Sequence, residues 1–230
     1  MSPSSQVTTD SPDGRADTTR NQILRAAAHQ FSGKPYYAVG LDDILAEAEL
    51  TKGAMYFHFR SKHALAVAII EQHIVAGRSA VEELLAKQLS GLETLIDFCY
   101  ITAVQDITQN MSRAASNLLG SVGSTGGLRE RLLGAWIESL AEVVERAIAE
   151  GDVAEGCAPE DVGRLVASMY MGLRQTSDLD DPARFLQDLE KCWALLLGGL
   201  LQPGRSDYFR QFIRRRTALA ISSASPKAAQ

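Results

Sequence analysis

The stretch TKGAMYFHF, residues 51–59, crowds a lysine, a glycine, a histidine and three aromatic side chains into nine positions. Met55 and Phe59 stand four apart, so on a helix they share one face and point inward. Thr51, Lys52, Tyr56 and His58 then fall on the solvent side, where folding gives them no reason to gather. Just upstream, LDDILAEA (41–48) carries Leu41, Ile44, Leu45 and Ala48 at helical spacing, and ELT (49–51) is a three-residue break. A short helix, a tight turn and a second short helix form the helix-turn-helix pattern. Its second helix enters the major groove of DNA by its N-terminal end.

Each residue of the stretch then acquires a chemical use. Thr51 caps the helix and offers hydroxyl and amide to a phosphate, where the helix dipole helps. Lys52 adds a charge at the same end. Gly53 lacks a Cβ, so the backbone can approach DNA closely, and Ala54 can touch a thymine methyl. Tyr56 and His58 carry polar tips on stiff rings, suited to phosphate oxygens. Lys62 places a further cation beside a phosphate. Phe57 is open between packing on the next helix and lying along the sugar-phosphate edge. Two helices with an aromatic stripe also arise as plain core packing. What argues against that reading is Gly53, which costs a short helix about 1 kcal/mol relative to Ala.

Outward from this stretch the chain reads as helix throughout. Ala and Leu are abundant, and residues 17–202 hold three prolines, Pro35, Pro159 and Pro182. A first helix capped at Asp17 or Thr18 carries Ile23, Leu24, Ala27 and Phe31, and SGKP (32–35) ends it. A long fourth helix follows Ser61. Further helices are expected near 91–110, 111–120, 128–150, 159–177, 182–200 and 206–221, with GSVGSTGG (120–127) as a flexible loop. The expected organisation is all-α: a disordered arm (1–16), a three-helix helix-turn-helix domain (17–62), a larger helical ligand-binding and dimerisation domain (63–222), and a disordered tail (223–230).

Charge narrows the partners. The net charge is −5, yet residues 15–73 hold seven Lys/Arg against six Asp/Glu. DNA contact must therefore come from a focused patch and not from bulk charge. Cys99, Cys157 and Cys192 are widely spaced and odd in number, which fits reduced thiols in a cytoplasmic protein. No secretory leader is visible, and no apolar run is expected to span a membrane. No HExxH, CxxC or GxSxG occurs. The histidines His29, His58, His63 and His73 lack metal spacing, and His73 reads as an exposed helix residue. Neither an enzyme nor a cofactor is expected. RRR (214–216) reads as a solvated helix face.

ILRAAAHQF (23–31) followed by LDDILAEAELTKGAMYFHFRSKHAL (41–65) resembles the DNA-binding domain of the tetracycline-repressor (TetR) family. The stretch around TKGAMYFHF is most similar to the γ-butyrolactone autoregulator receptors within it. The resemblance implies an all-helical homodimer that binds a double-stranded, near-palindromic operator and leaves it when a small effector fills the larger domain. It carries DNA contact onto Thr51, Lys52, Gly53, Tyr56, His58 and Lys62. Three positions depart from the family pattern: Pro35 for Gly, Gly40 for Thr and Glu49 for Gly. Gly40 lacks a hydroxyl that reaches phosphate. Glu49 must take the turn conformation at a cost of about 1 kcal/mol and brings a negative charge near DNA.

In the larger domain, the helices at 159–177 and 182–201 carry long stripes (Val162, Leu165, Val166, Met169, Leu173 and Thr176; Leu186, Leu189, Trp193, Leu196 and Leu200) wide enough to bury one face inward and one against a second copy. Packing within one chain is the alternative. Trp136, in LLGAWIESLAEVV, reads from pattern alone as a core residue. The resemblance instead places a Trp of this position in the ligand pocket. Tyr100, Gln105, Met169 and Tyr170 are added as candidate lining residues. The rival from another class is a helical small-molecule-binding protein or enzyme whose N-terminal motif is incidental.

Overall fold

The computed structural model describes residues 12–122, 128–202 and 204–225. Among them the regular structure is helical: α1 (Pro12–Gly33), α2 (Leu41–Ala48), α3 (Lys52–His58), α4 (Lys62–Ala86), α5 (Gly91–Thr108), α6 (Asn110–Val122), α7 (Leu128–Ala149), α8 (Pro159–Thr176), α9 (Pro182–Leu200) and α10 (Ser206–Ala224). Extended pairing is limited, among the described residues, to one bridge between Val153 and Leu201. Several limits differ from the sequence reading: α1 begins inside the arm expected to be disordered (1–16), α6 runs to Val122 into the loop expected at 120–127, and α10 runs to Ala224 into the tail expected at 223–230. The first helix opens at Pro12 and not at Asp17 or Thr18, because proline's fixed φ suits a first helical position. A short 3-10 turn, Tyr36–Ala38, sits in the α1–α2 connection. The arm before residue 12, loop residues 123–127 and tail residues 226–230 lie outside the described residues.

Caps explain where the short helices start. Thr51 Oγ1 accepts from the Ala54 N–H at 3.3 Å and Ser61 Oγ from the Ala64 N–H at 3.0 Å. Gly40 has no side chain to cap α2, so the one available bond runs the other way, from its N–H to Asp43 Oδ2 at 2.9 Å. Glu49 ends α2 in the left-handed region (φ 54°, ψ 38°), and the Leu50 N–H closes onto the Leu45 carbonyl at 3.1 Å. The turn geometry that usually selects glycine is thus met by a glutamate.

Two apolar cores result. The first gathers Ile23, Leu24, Ala27 and Phe31 of α1, Ile44 and Leu45 of α2, Met55 and Phe59 around α3, and Leu65, Ile69 and Ile70 of α4. Ala114, Ala115, Leu118 and Val122 of α6 complete it, so a helix from far along the chain closes the N-terminal bundle. The second core joins α5, α7, α8, α9 and α10 around the fully buried Phe185, Trp193 and Phe209. By length and composition α4 could cross a membrane, which the sequence reading did not anticipate. In the fold its apolar residues instead pack on α1, α5, α6 and α7.

The RRR run is not wholly solvated: Arg214 and Arg215 are exposed, while Arg216 pairs with Asp97 of α5. Burial pushes the Asp97 carboxyl up to about 6 against the pull of Arg216. Burial also pushes the Cys99 thiol up to about 12, which keeps it an inert part of the core.

The α5–α7 crossing depends on a glycine. A Cβ on Gly91 would stand 2.5 Å from the Ala147 nitrogen and 2.7 Å from the Val143 carbonyl oxygen, both backbone atoms that cannot swing aside. The Gly91 N–H also donates to Glu150 Oε2 at 2.6 Å. Gly91→Ala is expected to force the two helices apart and destabilise the chain by about 1–3 kcal/mol. Thermal unfolding measures this directly, and Gly120→Ala, at a site with open space around it, serves as the control.

Candidate DNA-contacting surface and effector cavity

The α3 helix is anchored by Met55 and Phe59, both buried, and turns its other residues outward. Thr51, Lys52, Gly53, Tyr56 and Phe57 are exposed; Ala54 and His58 are half-buried. Phe57, left open by the sequence, is 80% exposed, stacked only edge-on against His58 with ring centroids 5.0 Å apart. Phe57 therefore packs on no neighbouring helix. The nearest atom to a Cβ built on Gly53 is Thr51 Oγ1, 3.9 Å away. Nothing inside the protein demands glycine there, so the missing side chain serves whatever lies outside.

Two cations expected at this surface are already engaged. Lys52 Nζ lies 2.8 Å from Asp42 Oδ1 at the start of α2, and that contact raises the lysine's pKa. Lys62 Nζ donates to the carbonyls of Tyr36 and Val39, each at 2.9 Å, and lies 4.3 Å above the Tyr36 ring. The structure thus places Lys62 as the clip that holds the α1–α2 connection onto the start of α4. The position of α2, and through the turn of α3, is fixed from α1: Gln22 Nε2 donates to the Ala48 carbonyl at 2.7 Å, and His29 Nδ1 and Gln30 Nε2 both meet the Glu47 carboxylate at 2.5 Å.

A cavity of about 90 Å³ lies between α4, α5, α6, α7 and α8. Its apolar wall includes Ile70, Ile74, Val81, Phe98, Leu119 and Leu140. Trp136 and Tyr170, two of the five candidate lining residues, border it. Tyr100, Gln105 and Met169 do not. Phe98 and Thr102 present α5 to the cavity, and Tyr100, two residues past Phe98, is turned about 200° away. The Tyr100 hydroxyl instead meets Thr217 Oγ1 of α10 at 2.7 Å. Gln105 lies a turn beyond the cavity's end of α5, and Met169 packs against the second core. His73, read as a surface residue, is a half-buried member of the lining, and burial lowers its pKa.

Beside the cavity sits a buried carboxylate that the sequence reading missed. Asp106, fully buried, is paired with Arg174 Nε at 2.6 Å. It accepts from the Tyr170 hydroxyl at 3.0 Å, from Ser112 at 2.5 Å and from Ser116 at 3.3 Å. Arg174 Nη2 continues to Asn117 Oδ1 at 3.3 Å. Asn117 Nδ2 in turn donates to the carbonyls of Phe31 and Ser32, each at 3.1 Å. Those carbonyls belong to the last turn of α1, which has no helical partners of its own for them. One hydrogen-bonded chain therefore runs from the cavity wall to the helix that sets α2 and α3.

Residues 23–69 match the family model described as bacterial regulatory proteins, tetR family. That stretch is thus similar to the DNA-binding domain of tetR-family regulators. The A-factor receptor protein of Streptomyces griseus is 29% identical over 191 residues, which cover 83% of this chain and 66% of that protein. The repressor NemR of Escherichia coli is 36% identical over 67 residues, 29% of this chain and 34% of that one. This chain thus spans just under two thirds of the first relative's length and about a third of the second's. Among solved structures, a γ-butyrolactone receptor described as ArpA-like superposes with a TM-score of 0.74 at 25% identity, covering 89% of this chain and all of that one. CprB from Streptomyces coelicolor in complex with its operator gives 0.75 at 28% identity, covering 89% and 99%. The likeness to that structure spans both cores of this chain.

The open space around Gly53 separates folding from contact. Gly53→Ala is expected to leave thermal stability unchanged or raise it by up to about 1 kcal/mol, since Ala favours helix. Duplex binding is expected to fall at least tenfold. Unfolding and fluorescence-anisotropy titrations on the same preparation check both halves.

Proposed function

We propose that this regulator is a repressor that binds a pseudo-palindromic operator as a homodimer and releases it when a small, largely apolar molecule, such as a γ-butyrolactone-type autoregulator, enters the cavity beside Trp136. The observation that carries the reading is the hydrogen-bonded chain from Arg174 at the cavity wall through Asn117 to the last carbonyls of α1. The similar proteins support it: a receptor for A-factor, γ-butyrolactone receptors and an operator complex. Such a protein works on cytoplasmic DNA.

The mechanism follows from the contacts. Thr51, Lys52, Gly53, Ala54, Tyr56, Phe57 and His58 face the duplex, with phosphate contacts fixing register and the start of α3 reading base edges. Lys62 holds the surface in place through the Tyr36 and Val39 carbonyls. The present cavity is smaller than the several hundred Å³ typical of a ligand site, so an entering molecule must spread its walls. Moving α8 against α6 strains the Arg174–Asn117 bond and the Asn117 hold on α1, and α1 carries α2 and α3 with it. A hundredfold loss of operator affinity requires about 2.7 kcal/mol of coupling, within the range of a few such bonds.

Dimerisation is proposed through α8 and α9. Leu165 and Leu195 are 47% and 82% exposed there, and Gly198 and Gly199 leave open space for a second copy to approach. Two copies place two α3 helices for half-sites one or more helical turns apart.

Selection of duplexes from a random pool by the purified chain is expected to enrich an inverted repeat bound with a steep salt dependence. Tyr56→Ala is expected to weaken it at least tenfold, and light scattering is expected to give the mass of a dimer. Enrichment of no duplex would leave a helical binding protein with an incidental motif. For the coupling, Asn117→Ala is expected to retain effector binding while shrinking the effector-induced loss of operator affinity several-fold, as read from paired titrations with and without effector.

A further inference from the structure

The charge of the cavity lining is one-sided. Its residues include Arg78, Arg174 and His73, and no Asp or Glu. Most of the polar groups there are already committed. Arg174 is neutralised by Asp106, and the Tyr170 and Ser116 hydroxyls donate to the same carboxylate. Thr102 donates to the Phe98 carbonyl at 2.9 Å and Ser139 to the Ala135 carbonyl at 3.0 Å.

Arg78 differs. It is exposed at the cavity's edge, and its contact among the described residues is one bond from Nε to Ser139 Oγ at 3.3 Å. Among the described residues no carboxylate pairs with it, although Glu82 stands one turn further along the same helix. Its terminal nitrogens make no hydrogen bond among the described residues, and neither does the indole of Trp136, another residue of the lining. Among the described lining residues Arg78 is thus a full cation left to meet a ligand, while Gln175 and His73 can each donate and accept, above an apolar interior.

Resting on the reading of this cavity as an effector site, but narrowing its occupant to an acid and away from the neutral lactone named there as an example, we propose that the cavity takes an amphiphile whose polar end is a carboxylate, held at the rim by Arg78 with its hydrocarbon part against Phe98, Ile74 and Leu119. A guanidinium presents its donors as a planar fork that matches a carboxylate in geometry and charge, whereas a neutral lactone or alcohol gains no ion pair there. The chain as a whole carries −5. Bulk charge therefore repels an anion, and any preference for one must come from a local group such as Arg78.

The test titrates the full chain with three eight-carbon probes, octanoate, γ-octalactone and 1-octanol, following Trp136 fluorescence against a Trp136→Phe control. Octanoate is expected to bind about tenfold more tightly than either neutral probe at low salt, and the advantage is expected to shrink as ionic strength rises. Arg78→Gln is expected to bring the octanoate-to-octanol affinity ratio to about one, and Arg78→Lys to restore part of it. Neutral probes that bind as well as octanoate with the Trp136 response intact would overturn the carboxylate assignment and leave the effector cavity standing. A Trp136 signal that none of the three probes alters would overturn both.

Discussion

The structure turns on one buried negative charge. Asp106 lies where α5, α6 and α8 meet, and a carboxylate there is tolerable only while every oxygen lone pair has a donor. Arg174, Tyr170, Ser112 and Ser116 supply them from two other helices. Because a carboxylate stripped of its cation in such a place costs several kcal/mol, the three helices are held in a single register. The same requirement makes Arg174 a shared part: one edge of its guanidinium serves Asp106, and the other reaches Asn117 and thereby α1. A demand for charge compensation in the larger core thus becomes a mechanical link to the smaller one.

That link also explains why α6 belongs to both bodies. Its Ala114, Ala115 and Leu118 fill the core of the N-terminal bundle, while Ser112 and Ser116 face the carboxylate and Leu119 borders the cavity. The small residues let α1 approach closely, and the polar ones look toward α5 and α8. An element built this way cannot move against one neighbour without being felt by the other. In a packed interior such elements shift between discrete arrangements and do not deform smoothly.

The residues differ sharply in how much of this could be read in advance. The two short helices and their turn were legible because the governing interactions are local: Met55 and Phe59 four apart, the cap at Thr51, the strained turn at Glu49. The helices of the larger domain were legible for the same reason, from stripes and from Pro159 and Pro182. The cavity was legible in part. Trp136 came from resemblance, and Tyr170 is an apolar body on a well-marked helix. Tyr100 and Met169 look equally suitable in sequence, yet two residues of helix turn a side chain to the opposite side. Asp106, Arg174 and Asn117 were silent because a single polar residue on an amphipathic helix reads as solvent-facing until its partner, 68 positions away for the ion pair, is known. The carbonyl contacts of Lys62 were silent for a related reason: a lysine at a helix start suggests a phosphate, and the carbonyls that it meets are visible only once the 3-10 turn is in place.

The pairing of Lys52 with Asp42 bears on how such a protein travels along a chromosome. A lysine already satisfied by its own carboxylate offers little to random phosphates, and the chain's overall acidity offers less. Under the operator-binding reading proposed above, transient stops on irrelevant sequence would therefore be short-lived, and full seating of α3 would let a phosphate displace the acid and take the cation. On that reading the glutamate at the turn and the aspartate at the start of α2 would together act as a local brake on indiscriminate adhesion, leaving occupancy governed by fit more than by attraction at a distance.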